Sequence, residues 1–178
     1  LYALRDCGKP LSVDTYKPEV MREAILAGAD MINDINGFRA PGAIEAVQGS
    51  DCALCIMHMQ NVPETMQAQP HYEDVVREVI AFLRERVDTM VAAGIERARL
   101  CTALLRATRQ LRSELGLPVL AGLSRKSMIG AVTGRPVEQR LAGSIGGALA
   151  AVAQGAEIIR VHDVAETVDA LKVWRMAH

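Results

Sequence analysis

One junction constrains this chain more than any other feature, because it occurs twice: Ala27-Gly28-Ala29-Asp30-Met31-Ile32 returns as Gln154-Gly155-Ala156-Glu157-Ile158-Ile159. In each copy a glycine stops a helix and a buried strand follows. Gly94 and Gly116 mark similar stops. A chain that keeps ending helices and entering strands is built from βα units, and βα units make a parallel sheet. Strands are expected at about 10 to 14, 30 to 35, 52 to 58, 118 to 123 and 157 to 161, with a stub near 98 to 101. Helices fill the intervals. One runs from about Tyr72 to Ala93, where Val75, Val76, Val79, Ile80, Leu83, Val87, Met90 and Val91 recur at helical spacing. Another runs from about Val137 to Gln154, and its Gly143, Gly146 and Gly147 permit close backbone packing. Pro18 fits the first turn of a third.

This α/β pattern leaves two architectures open, a doubly wound sheet and a closed (β/α)8 barrel. No G-x-G-x-x-G loop follows a strand, which lowers the dinucleotide-binding option. Five or six strands are too few for a barrel, which takes about 250 residues, so a barrel would have to be incomplete.

With 178 residues, half of them hydrophobic and 23% charged, the chain can bury one sizeable core, and a single domain over residues 1–178 is expected. The formal net charge of −1 supplies no general field for nucleic acid or a membrane surface, so any anion site is local. Cys52 and Cys55 have the spacing of a metal or redox pair. Residues three apart on a strand face opposite ways, however, and the cysteines are read as core residues. Such thiols, without a secretory signal or a spanning apolar run, suit a reducing cytoplasm. The first residues, from Leu1 to Gly8, resemble the end of a helix, and a preceding segment is expected.

In either architecture the reactive groups belong at the carboxyl ends of the strands. Arg160 and His162 share a face with Ile158 and form either a diphosphate clamp or a solvated strand end. Asp14 and Asn33 could present a carboxylate and an amide to a flat heterocycle. Alternatively, Asp14 caps the helix near Pro18, and Asn33 or Asp34 closes a turn. Ser124 and Lys126 share a face and suit an oxygen-rich ligand or a solvated turn. Met57 is read as packing that could also touch a flat ring, and His58 as a hydrogen-bonded histidine on the opposite face. His71 and His178 carry no local pattern.

Taken in order, Pro10-Leu11-Ser12-Val13-Asp14-Thr15, Ile32-Asn33-Asp34-Ile35, Ile56-Met57-His58-Met59-Gln60, Leu123-Ser124-Arg125-Lys126 and Ile159-Arg160-Val161-His162-Asp163 resemble the dihydropteroate synthases. The resemblance implies an incomplete (β/α)8 TIM barrel in which these segments are the third, fourth, fifth, seventh and eighth strands. It implies a pterin ring held by Asp14, Asn33 and Lys126 with Met57 lining the pocket. Arg160 and His162 would bind diphosphate, and Ser124 with Lys126 would lie near the p-aminobenzoate carboxylate. Lys126, Arg160 and His162 are the residues expected to carry the reaction. That reaction joins 6-hydroxymethyl-7,8-dihydropterin diphosphate to p-aminobenzoate in folate biosynthesis, with Mg2+ bound mainly through the diphosphate. The family usually forms homodimers through helices near its C-terminal end.

Against the family pattern, the first two strands have no counterpart, and with them go an asparagine associated with metal and two loops that enclose p-aminobenzoate. The sixth strand lacks the family's Asp-Pro-Gly-Phe-Gly-Phe-Gly-Lys segment, since Arg99-Leu100-Cys101 passes straight into Thr102-Ala103-Leu104-Leu105. Omission of residues or an incomplete gene, rather than an evolved smaller enzyme, is the expectation, because a barrel short of two strands exposes sheet edges. The rivals are a pterin-binding methyltransferase domain and an inactive pterin-binding remnant.

Overall fold

The repeated junction has one hydrogen-bonding solution in both places. In the computed structural model, which describes residues 1–58, 73–103 and 108–177, Ala29 N–H donates to Ala24 O at 2.9 Å and Gly28 N–H to Ile25 O at 3.0 Å. Ala156 and Gly155 repeat this on Ala151 and Val152 at 3.0 and 2.9 Å. These are the paired bonds of a Schellman stop, which needs a left-handed residue, and Gly28 and Gly155 take φ of +89° and +95°. The acidic residue two positions on has a task that sequence reading did not assign. Asp30 Oδ2 accepts Leu11 N–H at 2.7 Å and Glu157 Oε2 accepts Val119 N–H at 3.0 Å, so each carboxylate ties down the start of the preceding strand.

The chain divides into two compact units, Leu1–Ala103 and Leu104–His178. The first holds strands β1 (Ser12–Asp14), β2 (Met31–Asp34), β3 (Ala53–Met57) and β4 (Leu100–Ala103), paired in parallel in chain order. Among these four, each strand lies beside its successor with no reversal of order, which is what a barrel requires and what the switch point of a doubly wound sheet breaks. One register row runs Asp14, Asn33, Cys55, Cys101, and its in-register side chains share a face. The neighbouring row, Val13, Ile32, Leu54 and Leu100, faces the other way, and the last three are 0 to 1% exposed. Truncating any of those three to alanine would cost about 2–5 kcal/mol.

Helices α1 (Pro18–Leu26), α2 (Ala43–Val47) and α3 (Val75–Ala92) belong to this unit. Pro18 opens α1 as expected, but no side chain caps it, so the capping role considered for Asp14 is not taken. Asp74 caps α3 by accepting Val76 and Arg77 N–H at 3.1 and 3.0 Å, while Glu78 reaches back to Glu73 and Asp74 N–H. Val79, Ile80, Leu83, Val87 and Met90 form its buried stripe; Val75 and Val91, expected in that stripe, are exposed. Tyr72, the expected start, lies outside the described residues, as do Met59, Gln60, His71, Leu104, Leu105 and His178.

The second unit holds α4 (Thr108–Leu115), β5 (Val119–Ala121), α5 (Ser127–Thr133), α6 (Leu141–Ala153), β6 (Ile158–Ile159) and α7 (Val164–Ala177). β5 and β6 pair in parallel. Both are shorter than expected, and the expected helix over 137 to 154 is divided: a 3-10 turn covers Val137–Gln139 and α6 begins after Arg140. Within α6, an added Cβ would press on Ile129 at Gly143 and sit 3.4 Å from Leu123 at Gly147, but would meet nothing within 4 Å at Gly146. No described helix is long and apolar enough to cross a membrane.

Candidate functional site

Two groups of predicted residues are assembled, one in each unit. In the first, Asn33 Nδ2 donates to Asp14 Oδ2 at 2.9 Å. Asn33 is 2% exposed, and its Oδ1 has no hydrogen-bond partner. A buried carbonyl oxygen without a donor costs roughly 1–3 kcal/mol, which a ligand N–H placed there would recover. Met57 lies two residues beyond Cys55 on the same face of β3, half-buried and so open to contact.

The turn considered for Asn33 or Asp34 is made by Asp34 alone. Its carboxylate is fully buried and accepts Asn36 and Phe38 N–H, both at 2.7 Å, while burial raises its pKa above the ordinary carboxylate range. Arg86, reaching across from α3, donates to Gly37 O at 2.9 Å and Phe38 O at 3.0 Å. Adjacent residues thus divide the work: Asn33 serves one face of β2 and Asp34 the other. His58, beyond β3, sets its ring edge-on to Phe82 with centroids 4.9 Å apart, and burial lowers its pKa, helped by the Arg39 charge.

In the second unit the strand stops at Ala121, so Ser124 and Lys126 lie on the turn into α5 and not on a strand face as expected. Arg125 between them takes the left-handed conformation with φ +57°, which is uncommon for a non-glycine residue. Ser124, 6% exposed, places its Oγ 3.0 Å from His162 Nδ1 and accepts His162 N–H at 3.3 Å. Arg160 N–H still bonds to Ala121 O at 2.9 Å, after which the chain leaves the ladder; both Arg160 and His162 are exposed. The Arg160 guanidinium lies over Gly122, where a Cβ would stand 3.2 Å from Nε.

Four residues not assigned to the site hold this turn in place. Ser144 Oγ accepts Arg125 N–H at 2.9 Å and donates to Arg140 O at 2.7 Å. Arg140 Nη1 donates to Arg125 O at 3.1 Å and more loosely to Lys126 O at 3.5 Å. Asp163 pairs with the Arg125 guanidinium through both of its oxygens, and the bond from Arg125 holds its pKa below the ordinary carboxylate range. Gly130 leaves the space in which Arg140 sits. Nothing in the local spacing announces Arg140 or Ser144, since each acts on residues 14 to 19 positions away.

A groove of about 670 Å³, lined by Arg109, Arg112, Leu117 and Glu157 among others, lies where β5 begins. Arg112 and Glu157 already pair there at 2.6 Å. Within this unit Ser124 and His162 stand past the opposite, carboxyl ends of β5 and β6, where ligand sites of parallel sheets form.

A profile of pterin binding enzymes matches residues 1–162. The chain belongs to the pterin-binding enzyme family. Within that family, dihydropteroate synthase of Haemophilus influenzae is 49% identical over 93% of the chain. The chain spans 65% of that protein's length. A dihydropteroate synthase from Stenotrophomonas maltophilia with imidazole in its active site superposes with a TM-score of 0.95 at 45% identity, over 99% of this chain and 72% of the other. That of Burkholderia cenocepacia in complex with 7,8-dihydropteroate gives 0.89 at 47% identity, over 99% and 70%. The assignment made from the strand-end motifs is borne out at the level of the family.

Proposed function

We propose that residues 1–178 form one incomplete (β/α)8 pterin-binding domain of a dihydropteroate synthase, condensing 6-hydroxymethyl-7,8-dihydropterin diphosphate with p-aminobenzoate and releasing diphosphate. The single observation that carries this reading is the buried Asn33 amide, hydrogen-bonded to Asp14 on one side and with its acceptor oxygen unpartnered on the other. A carboxylate beside an amide matches the donor-rich edge of a pterin. The family relationship and the dihydropteroate held by the Burkholderia protein support it.

In this reading Asp14 and Asn33 orient the ring, Met57 lines it, and Lys126 adds a charged contact. Arg160 and His162 take the diphosphate, and Ser124 with Lys126 take the aminobenzoate carboxylate. The step is a substitution at the exocyclic methylene: the arylamine nitrogen forms the new bond, the carbon–oxygen bond breaks, and diphosphate leaves with the bonding pair. Arg160 stabilises the charge on the departing oxygens, and His162, oriented by Ser124, donates a further hydrogen bond. The residues do not fit a resident magnesium ion. Asp14 is the one carboxylate among the proposed site residues, and a single carboxylate supplies too few oxygens to hold magnesium without phosphate ligands. Magnesium therefore belongs with the incoming diphosphate. A cytoplasmic homodimer is part of the proposal.

The second reading, a pterin-binding remnant without turnover, draws on the end of β4, where Thr102 and Ala103 stand in place of the family's acidic segment. Titrating the chain with 6-hydroxymethyl-7,8-dihydropterin while assaying diphosphate release on the same sample separates the two. Saturable binding with product formation supports the synthase, saturable binding alone supports the remnant, and no binding removes both.

A further inference from the structure

The left-handed turn at Ser124–Lys126 has no ladder to hold it, yet Ser124 contacts the His162 ring and Lys126 leads into α5. Arg140 meets the turn from the start of α6. Its Nε donates to Arg135 O at 3.0 Å, and Nη1 reaches the consecutive carbonyls of Arg125 and Lys126. A planar fork can bridge such divergent acceptors; an ammonium cannot do so from one position. The seat for that fork exists because residue 130 is glycine. A Cβ there would lie 2.6 Å from Arg140 Cζ and 2.9 Å from Nε, and closer still to Nη2. Gly130 lies inside α5 without a positive φ, so its conformation does not require glycine and helix propensity argues against it. What its missing side chain provides is room.

We propose that Arg140, seated in the space left by Gly130, is a positioning residue that locks the Ser124–Arg125–Lys126 turn and through it the orientation of His162. Its effect on binding rests on the diphosphate reading above. Its effect on the turn does not. Ser144 completes the lock by joining Arg125 N–H to Arg140 O through one hydroxyl, so the clamp grips both sides of the strained residue. Asp163 anchors the Arg125 side chain from the segment that carries His162.

The test uses the full chain with Gly130→Ala, Arg140→Ala and the double variant, read by calorimetry with inorganic pyrophosphate and by NMR of the His162 ring and the 124–126 amides. Gly130→Ala improves helix propensity, so it should displace the fork without lowering the denaturation midpoint. The expected result is about a tenfold loss of pyrophosphate affinity in each single variant. The ring and turn signals shift in both, and the double variant behaves as Arg140→Ala alone, because the alanine then has nothing left to displace. Arg140→Lys should fail to restore the wild-type signals. Unmoved ring and turn signals in folded Gly130→Ala, or additive losses in the double variant, would overturn the proposal. If wild-type chain binds no pyrophosphate, the diphosphate reading fails, and the NMR comparison still decides the clamp.

Discussion

The Asp14–Asn33 pair and the Ser124–His162 pair are both polar contacts at strand ends, but they are held by different means. Asp14 and Asn33 stand on β1 and β2 in register, so the backbone ladder positions them and a single side-chain bond finishes the arrangement. Ser124 and His162 lie beyond the last residues of β5 and β6, and their positions depend on Arg140, Ser144 and Asp163. A ladder-borne pair should lose binding without losing its place when one member is changed. A turn-borne pair should be sensitive to residues that never touch a ligand.

The largest expected effect tests whether a turn in the first unit is as dependent on side chains as the one in the second. Asp34→Ala removes a fully buried carboxylate and strands the Asn36 and Phe38 N–H groups at a turn where Gly37 and Phe38 both have positive φ. Urea denaturation should show a loss of about 2–4 kcal/mol. A loss below about 0.5 kcal/mol would mean that Arg86 alone holds the turn, and the contrast between ladder and clamp would need redrawing.

The same contrast explains what the sequence made legible. Strand existence, helix stops and the placing of Asp14 and Asn33 at strand ends follow from periodicity, whereas the register that sets the two side by side comes from the ladder itself. The role of Asp34 was visible only as one of two choices, since neighbouring residues on a strand differ by face and faces cannot be assigned without the core. A period of two makes Ser124 and Lys126 neighbours on one strand face; the strand ends at Ala121 and Arg125 turns left-handed, so that period no longer applies. Arg140 was hidden inside an apparent helix over 137 to 154 that breaks at that residue, and Gly130 gave no signal beyond an unexplained glycine. Local spacing sets Cys55 beside Cys52, but its register neighbour is Cys101. Both are buried in the core, as the sequence suggested.

Removing charge from the turn-borne group should come next in size. Arg160→Ala is expected to weaken pyrophosphate binding by roughly 1.5–3 kcal/mol, the scale of a charge-assisted hydrogen bond. Calorimetry that returns the wild-type affinity would take Arg160 out of the clamp. In the ladder-borne group, Asn33→Ala should lower pterin affinity by roughly 1–3 kcal/mol, while moving the urea midpoint less than Asp34→Ala does. Equal losses of stability in the two variants would show that Asn33 is structural and that its unpartnered oxygen is not a ligand contact.

The smallest expected effect separates the two units by pH. His58 has its pKa lowered from 6.5, chiefly by burial and then by the Arg39 charge, with Glu78 opposing. The unfolded chain therefore binds the proton first, so the stability due to neutral His58 is fully present above pH 6.5 and is lost as pH falls through the lower folded pKa. Asp163 follows the same sign in a more acidic window: its contribution is complete above 3.8 and disappears as pH falls through a folded value held lower by Arg125. Asp34 runs the other way, because burial raises its pKa and its contribution is present below 3.8 and lost as pH rises through the folded value. Urea midpoints taken between about pH 7.5 and 5.5 should thus slope downward toward acid in the wild type and flatten in His58→Phe, which keeps an aromatic ring against Phe82. Asp163→Asn should leave that slope unchanged and alter only the limb below about pH 4. If Asp163→Asn changes the upper window instead, the Arg125 pair is titrating with a neighbour, and the turn is governed by more charges than Arg140 and Asp163 supply.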